Sequence, residues 1–199
     1  MNKISEMEAF NSKLEAGEID EHIIEILKLI NSSENYYTTS SCSGRIQLIV
    51  LPKLGDKPGS RILGKWHDII EYEELDAALK SWDGKDILML LVQSPVIHAV
   101  CSDLESALIL RNIGSASGFK YSTIRSIQSG KEEGELQKNI IVEILSTERM
   151  DVPLGNKGKL YPEEDYLRYI LELAAMCMER SRGKLERLKA NLEKQLEGK

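Results

Sequence analysis

The chemically richest stretch of the chain runs from Tyr36 to Ile46 and reads Tyr-Tyr-Thr-Thr-Ser-Ser-Cys-Ser-Gly-Arg-Ile. Its hydroxyl groups donate and accept hydrogen bonds, Gly44 allows a backbone to approach a ligand closely, and the Arg45 guanidinium suits a carboxylate or a phosphate. Two interpretations are open. The stretch is a polar turn leading into an apolar strand at Ile46 to Leu51, since turns are rich in Ser, Thr and Gly, or it is one edge of a binding site.

Further polar side chains stand at the ends of apolar segments, where binding sites are usually built. They are His67 after Trp66, His98 and Cys101 after Pro95, Ser122 after Gly118 and Phe119, and Lys157 and Lys159 around Gly158. Each has a structural alternative. A lone histidine in an apolar strand is commonly a hydrogen-bonded core residue, and Cys101 and Cys177 suit small buried positions.

Several enzyme classes are disfavoured by what the motifs lack. The histidines His22, His67 and His98 show no HxxxH or HExxH spacing, so no metal site is predicted. No GxG sequence occurs, so the usual dinucleotide-binding fingerprint is absent, and the P-loop is missing as well. A cysteine phosphatase needs a longer loop between its thiolate and its arginine than Cys42-Ser-Gly-Arg45 provides.

Composition narrows the class of protein further. The 199 residues carry a formal net charge of −6, which argues against nonspecific coating of nucleic acid but leaves binding to one defined RNA site open. The three cysteines form no CxxC pair, which indicates a reducing compartment. No apolar signal core or membrane-spanning run is present, so the sequence predicts a soluble, cytoplasmic protein.

The last part of the chain has its own charge and hydrophobic pattern. From Glu179 to Lys199 there are seven basic side chains against four glutamates, so a local basic face is available for RNA. Leu185, Leu188 and Leu192 recur at helical spacing. The leucines predict either a coiled-coil-like seam, giving a homodimer through the C-terminal helix, or a helix docked on its own sheet.

Periodicity and turn signals predict the elements that position these residues. Helices are expected at 19–30, at 72–80, from about 102 to Gly114 or Gly118, and over a long terminal segment with Pro162 in its first turn. Strands are expected at 46–51, 87–92, 96–101, 121–127 and 140–145, and loops at 52–64 and 150–158. The chain is interpreted as one domain over 1–199, with two α+β subdomains of about 1–85 and 86–199 as the alternative.

Taken together, these motifs resemble a known family. Thr38-Thr-Ser-Ser-Cys-Ser-Gly-Arg45, Trp66-His67, Pro95 with His98 and Cys101, Gly118-Phe-Lys-Tyr-Ser122, Val152-Pro-Leu154 and Lys157-Gly-Lys-Leu160 are similar in order to those of the wyosine and wybutosine pathway methyltransferases. The likeness extends from the helix before Tyr36 to the start of the last helix. Two departures are a threonine at Thr38, where serine is usual, and the absence of the family's asparagines around Ala174-Ala-Met176 and Ser181.

The resemblance implies a stand-alone, archaeal-type enzyme that uses S-adenosylmethionine to methylate N4 of a demethylwyosine-type base beside the anticodon of phenylalanine tRNA. It also implies an α+β fold with a mixed sheet and a long C-terminal helix, different from a typical Rossmann methyltransferase. The alternatives are a noncatalytic RNA-binding protein and a subunit of a larger complex.

The resemblance further implies roles for individual residues. Cofactor binding is assigned to the polar stretch, at Ser40, Ser41, Cys42, Gly44 and Arg45, and the alternative is that this stretch holds the base. Substrate binding falls to Trp66, Gly118, Phe119, Ser122 and Lys157, with Trp66 or Phe119 stacking on the base. His67 and His98 are the candidate catalytic bases, since histidine titrates near neutral pH. Arg45 fits the cofactor carboxylate and an RNA phosphate equally well.

Overall fold

The computed structural model describes residues 3–55, 58–127 and 139–196. The helices in these ranges are α1 Lys3–Glu15, α2 Glu21–Ser32, α3 Tyr72–Leu79, α4 Leu104–Ala116 and α5 Glu164–Leu196. The strands are β1 Tyr36–Cys42, β2 Arg45–Leu51, β3 Arg61–Trp66, β4 Ile87–Gln93, β5 Val96–Cys101, β6 Thr123–Ile127, β7 Ile140–Leu145, β8 Met150–Asn156 and β9 Lys159–Leu160. Every strand pair in the described ranges is antiparallel. The predicted α+β class, the long terminal helix and the departure from a parallel Rossmann sheet are confirmed.

Close contacts divide the chain into two compact units, each built from separate segments. Unit 1 comprises Met1–Ser43, Pro95–Thr147 and Ser181–Lys199, and unit 2 comprises Gly44–Ser94 and Glu148–Arg180. The polar stretch therefore contributes to both units, since it changes unit between Ser43 and Gly44. The contiguous division near residue 85 stays a prediction. Within the described ranges, no helix has both the length and the apolar character needed to cross a membrane.

The sheet of unit 1 has the strand order β1-β5-β7-β6. Successive strand side chains point to opposite faces, so alternate residues of β5 and β7 share a face. One face is apolar and joins α2, α4 and the end of α5 in a single core, to which β5 and β7 contribute Ile97, Ala99, Ile140, Val142 and Ile144. By the same alternation His98 and Glu143 lie on the opposite face.

The leucine seam of α5 is part of that core. Leu185, Leu188 and Leu192 are buried among the apolar side chains of unit 1, with exposures of 3, 0 and 0%. The interpretation of a helix docked on its own sheet therefore applies to these three residues, and they are unavailable for self-association. A homodimer through another face of α5 stays a prediction.

The sheet of unit 2 has the strand order β3-β2-β4-β8-β9. Alternate residues of β2 and β4, which pair from Arg45↔Gln93 to Leu51↔Ile87, present one apolar face. The face packs against Leu75 of α3 and against buried residues in the first half of α5. The two sheets thus carry the strand ends at which the candidate site residues were expected.

Two predicted loops contain strands, and one helix was not predicted. The last four residues of the region 52–64 belong to β3, which among the described strands lies at the sheet edge beside β2, and 150–158 contains β8. Helix α1 has a weak apolar period and buries no residue. Lys3 Nζ at its start donates to the carbonyl oxygen of Ser33 at 2.7 Å. Pro162 lies just before α5 and not within its first turn.

Candidate functional site

The first seven residues of the polar stretch form β1, which belongs to unit 1. Tyr36, Tyr37 and Thr38 are buried, whereas Ser40 is exposed and Ser41 and Cys42 are half-buried. Thr38 is fixed by α2, because its backbone N–H donates to Asn31 Oδ1 at 2.7 Å and its hydroxyl contacts the same oxygen at 3.1 Å. The interpretation of this stretch as a turn is therefore wrong for its first seven residues, whose hydroxyl groups lie along a strand, while Ser43 and Gly44 connect β1 to β2.

A bulge in β1 brings Ser40 to His98. Thr38 pairs with Ala99 and Ser41 pairs with Ile97, so two residues, Thr39 and Ser40, lie opposite His98 alone. The Ser40 hydroxyl oxygen is 2.8 Å from His98 Nδ1 as a result. Bulges re-aim side chains in this way and are frequent beside active sites. The structure thus joins a predicted cofactor residue and a predicted catalytic residue in one hydrogen-bonded pair.

The other ring nitrogen of His98 contacts a carboxylate that the sequence did not single out. Glu143 pairs with His98 in the β5–β7 register, and its Oε1 is 2.7 Å from His98 Nε2. Arg125, at a register shift in β6, forms an ion pair with the same carboxylate oxygen. The two residues lie 45 and 27 positions from His98 in sequence, which is why no local motif revealed them.

The end of β1 is tied to α2 through a second carboxylate that the sequence interpretation omitted. The Ser43 hydroxyl donates to Asp20 Oδ2, while Asp20 Oδ1 accepts from the backbone N–H of His22 as the N-cap of α2. His22 Nε2 in turn lies 3.2 Å from an Arg182 amino group. An Asp directly before an apolar helical period is a recognised cap signal, so Asp20 was identifiable from sequence as a cap but not as an anchor for Ser43.

The segment from Gly118 to Ser122 forms a tight turn in unit 1 after α4. The Ser122 hydroxyl is buried and donates to the carbonyl oxygen of Phe119 at 2.7 Å. Phe119 is fully buried in the core, so its ring has no exposed face for stacking on a base. Gly118 lies against the aliphatic stem of Lys184, whose buried ammonium group donates to the Ser146 hydroxyl at 2.6 Å.

In unit 2 the polar stretch continues through Gly44 and Arg45. Gly44 has a φ of 100°, a left-handed conformation that favours glycine, and its carbonyl oxygen is 3.0 Å from His67 Nδ1. The Arg45 Nε donates to Gln93 Oε1 at 2.8 Å, and its terminal amino groups make no hydrogen bond or ion pair within the described ranges. The guanidinium is therefore oriented by Gln93 while two of its nitrogens are left for another partner.

Trp66 and Lys157 occupy separate positions in unit 2. The half-buried Trp66 indole packs over Gly64, where an added Cβ would lie 2.0 Å from the ring. Lys157 is exposed at the turn between β8 and β9, with a φ of 50°. The turn is fixed by a 2.6 Å hydrogen bond from the Gly158 N–H to the carbonyl oxygen of Gly84.

The cysteines differ in their environments. Burial raises the pKa of the Cys101 thiol to about 12, and the Asp103 carboxylate adds to the effect. Burial also raises the pKa of Cys177. Neither is therefore suited to nucleophilic attack at neutral pH, since only the thiolate attacks. In the described part of the chain no cluster of three or more His, Cys, Asp or Glu side chains suits a metal ion.

The predicted residues thus form two groups with internal contacts. In unit 1 the structure joins Ser40 with His98 and places Ser41, Cys42 and the segment 118–122 in the same unit. In unit 2 it joins Gly44 with His67 and adds Gln93 to Arg45. The roles assigned to these residues stay proposals.

Comparison with known proteins identifies the family. A family model described as methyltransferase TYW3 matches residues 1–194. A Pyrococcus horikoshii protein named tRNA(Phe) 7-((3-amino-3-carboxypropyl)-4-demethylwyosine(37)-N(4))-methyltransferase 1 is 47% identical over 180 residues, covering 90% of this chain and 87% of the relative. A Thermococcus sibiricus protein named as the same methyltransferase is 41% identical over 194 residues, covering 98% and 94%.

Solved structures with a similar fold are found as well. The PH1069 protein of Pyrococcus horikoshii superimposes with a TM-score of 0.87 at 44% identity, covering 96% of this chain and 93% of that one. A hypothetical protein from Aeropyrum pernix has a TM-score of 0.74 at 28% identity, covering 89% and 99%. The family resemblance predicted from the motifs is therefore confirmed, and the chain belongs to the TYW3 methyltransferase family.

Proposed function

We propose that this protein transfers a methyl group from S-adenosylmethionine to N4 of 7-(3-amino-3-carboxypropyl)-4-demethylwyosine at position 37 of tRNA(Phe). The observation that carries the proposal is the match of the methyltransferase family model to residues 1–194, together with relatives above 40% identity that bear this activity in their names. The family is catalytic, which favours an enzyme over the noncatalytic RNA-binding alternative.

The structure offers residues that suit the cofactor. Arg45 presents two guanidinium nitrogens beside an Nε already held by Gln93, a geometry that supports a charge-assisted contact to the cofactor's methionyl carboxylate. The Ser41 hydroxyl oxygen is buried and has no hydrogen-bond partner among the described residues, so it is suited to bonding a bound polar group. When bound, the sulfonium cofactor supplies an electrophilic methyl group.

The residues of the protein would act on the acceptor base by positioning and by proton removal. Trp66, half-buried and held by its packing over Gly64, is the remaining candidate for stacking, since Phe119 is buried. N4 must lose its proton when it gains the methyl group, and His98 or His67 would accept that proton. Positioning of two reactants supplies much of the rate in such a transfer.

The direct test is incubation of the protein with labelled S-adenosylmethionine and tRNA(Phe) from a strain lacking this methylation. We expect a nucleoside one methyl group heavier at position 37, detected by mass spectrometry, and no labelling of tRNA that lacks the tricyclic base. Absence of the heavier nucleoside with correctly premodified tRNA would refute the proposal.

The role of Arg45 has its own test in binding. Arg45→Ala should weaken S-adenosylmethionine binding, measured by calorimetry, by about 10- to 100-fold, because it removes a charge-assisted contact. Arg149→Ala is the matched control, since Arg149 is also in unit 2 but is paired with Asp151 at the surface. Cofactor affinity unchanged by Arg45→Ala but tRNA affinity reduced would assign Arg45 to an RNA phosphate.

A further inference from the structure

One polar residue from each strand of the unit 1 sheet joins a single row of contacts. Ser40 of β1 contacts His98 of β5, His98 contacts Glu143 of β7, and Glu143 pairs with Arg125 of β6. We infer that Ser40, His98 and Glu143 form a proton relay, with Ser40 meeting the acceptor nitrogen and with Arg125 and Glu143 as positioning residues. The inference rests on the proposed function and names the group that removes the proton.

An irregularity in β1 and the pairing of β5, β6 and β7 build the row. The extra residue in β1 places the Ser40 hydroxyl on His98 Nδ1, a contact that a regular ladder of one residue opposite one residue would not make. His98 and Glu143 pair directly. Thr123 pairs with Glu143, and Arg125, two residues further along β6, reaches the same carboxylate diagonally.

The relay assigns the proton of the neutral His98 ring to Nε2. An ionised Glu143 only accepts hydrogen bonds, so a contact of 2.7 Å between its Oε1 and His98 Nε2 requires a proton on Nε2. Nδ1 is then unprotonated and accepts from the Ser40 hydroxyl. Arg125 Nη1 also lies 2.8 Å from Nε2. Arg125 could donate to Nε2 only if Nε2 carried a lone pair, and that lone pair would then face the Glu143 carboxylate oxygen. Arg125 is therefore assigned as the ion-pair partner of Glu143.

The middle of the row is less exposed than its two ends. Ser40 and Arg125 are exposed, whereas the side chains of His98 and Glu143 have relative exposures of 17 and 18%. A substrate therefore reaches the Ser40 hydroxyl more readily than the imidazole. A carboxylate behind the ring fixes the tautomer of the imidazole and stabilises the imidazolium that forms on protonation.

The proton balance closes without a further reactant. As the N4 lone pair forms its bond to the methyl carbon and the carbon–sulfur bond breaks, the proton of the acceptor N–H passes to Ser40 Oγ. The Ser40 O–H proton passes to His98 Nδ1, so the serine ends as it began. His98 becomes an imidazolium bonded to Glu143 and later releases the proton to water. The cofactor leaves as the neutral thioether.

The first test measures the tautomer of His98 in the free protein, so it does not depend on methyl transfer. Nitrogen-15 NMR of the histidine rings, assigned with His98→Ala, should show His98 protonated on Nε2. Glu143→Ala should invert the ring to the Nδ1-protonated tautomer, because Arg125 then donates to Nε2. Asp151→Ala is the control, since it removes a carboxylate from the comparable Arg149 pair in unit 2. An Nδ1-protonated wild-type ring, or no inversion in Glu143→Ala, would overturn the relay.

The second test measures the rate of methyl transfer under single-turnover conditions. Ser40→Ala should slow methyl transfer by about 100-fold or more, within the range for loss of general-base catalysis, while Ser40→Thr, which keeps a hydroxyl, should restore most of the rate. Thr123→Ala removes an exposed hydroxyl from a residue paired with Glu143 in the same sheet and should leave the rate unchanged.

The outcomes separate the relay from the proposed function. Full activity in Ser40→Ala would overturn the relay and leave the methyltransferase assignment standing. An inactive wild-type protein, given correctly premodified tRNA, would overturn the proposed function and the catalytic role of the row together. A slow Ser40→Ala that binds cofactor and tRNA with wild-type affinity supports the relay, since a residue that only binds would change those affinities.

Discussion

The Ser43 hydroxyl donates a hydrogen bond to the Asp20 carboxylate, and this contact ties the end of β1 to the beginning of α2. Asp20 thus has two structural functions, since its other oxygen accepts from the His22 N–H as the helix cap. The polar stretch is therefore held in place partly by a residue 23 positions earlier in the chain. A substitution that removes the Asp20 carboxylate therefore removes both the cap of α2 and the contact with Ser43, unless the new side chain keeps one of them.

We predict that Asp20→Ala lowers the free energy of unfolding by about 1–2 kcal/mol, as expected for loss of a helix cap and a hydrogen bond. Asp20→Ser separates the two contributions, because serine still caps the helix but is too short to keep the contact with Ser43. Urea denaturation of the two variants measures both. Equal stability of Asp20→Ser and Asp20→Ala would show that the cap contributes nothing measurable.

The position of Trp66 depends on the absence of a side chain at Gly64. An added Cβ would lie 2.0 Å from the indole Cη2, so Gly64→Ala must displace the ring. We predict a loss of about 1–3 kcal/mol, as for other overpacked sites, with a change in tryptophan fluorescence. Weaker tRNA binding should accompany it if Trp66 stacks on the base.

Gly183→Ala is the control for Gly64→Ala. Gly183 lies inside α5, and an added Cβ meets only Arg187 Nη1 at 3.7 Å, an ordinary contact. Alanine is the better helix former, so this variant should be more stable by about 0.5–1 kcal/mol. Wild-type stability and emission in Gly64→Ala would contradict the predicted displacement of Trp66.

Local periodicity was enough to predict the elements whose apolar pattern is undisturbed. Helix α2 and strands β2, β4 and β7 lie within a few residues of their predicted bounds. Strand β8 was missed because Pro153 and Gly155 are typical of loops. Proline is tolerated at this position for two reasons. The β4–β8 register shifts beside Pro153. The described pairs of β8 with β9 are at Gly155 and Asn156, so Pro153 lies on the sheet edge, where its missing N–H is not needed.

The candidate site was predictable only where a motif kept its residues together in sequence. Ser40 and His98 were both singled out, yet their contact depends on a bulge, and bulges follow from pairing register that the sequence does not state. Glu143 alternates with apolar residues in β7 and has the appearance of a solvent-facing strand position. Its role follows only from the residue opposite it.

The burial of the α5 leucines gives a prediction about assembly. Leu188→Ala should lower the free energy of unfolding by about 2–5 kcal/mol, since Leu188 is fully buried in the unit 1 core. Met176→Ala, on an exposed position of the same helix, should change it by no more than about 0.5 kcal/mol.

Sedimentation of both variants tests the role of the seam in self-association. Because the leucines contact the core of their own chain, the oligomeric state of folded Leu188→Ala should equal that of the wild-type protein. A shift of that variant to a smaller species at equal concentration, with the fold retained, would show that the leucines join two chains.

The raised pKa of Cys101 predicts a loss of stability in alkaline solution. The thiol titrates at 9.0 in an ordinary environment and at about 12 in the buried site, so above pH 9 the unfolded chain releases a proton that the folded chain keeps. The folded state then binds more protons, and the free energy of unfolding falls with rising pH by about 1.4 kcal/mol per unit from this group. The contribution is fully present below pH 9 and is lost as pH rises towards 12.

Cys101→Ala removes this titration, so its stability should fall less steeply than that of the wild-type protein between pH 9 and 10, measured by urea denaturation at each pH. The comparison uses slopes because the substitution also lowers stability at neutral pH. Tyr36, whose pKa burial raises from 10.0 to about 12, should add to the decline only above pH 10, and Tyr36→Phe isolates that part. Parallel curves for wild type and Cys101→Ala would mean that Cys101 does not keep its proton through this range.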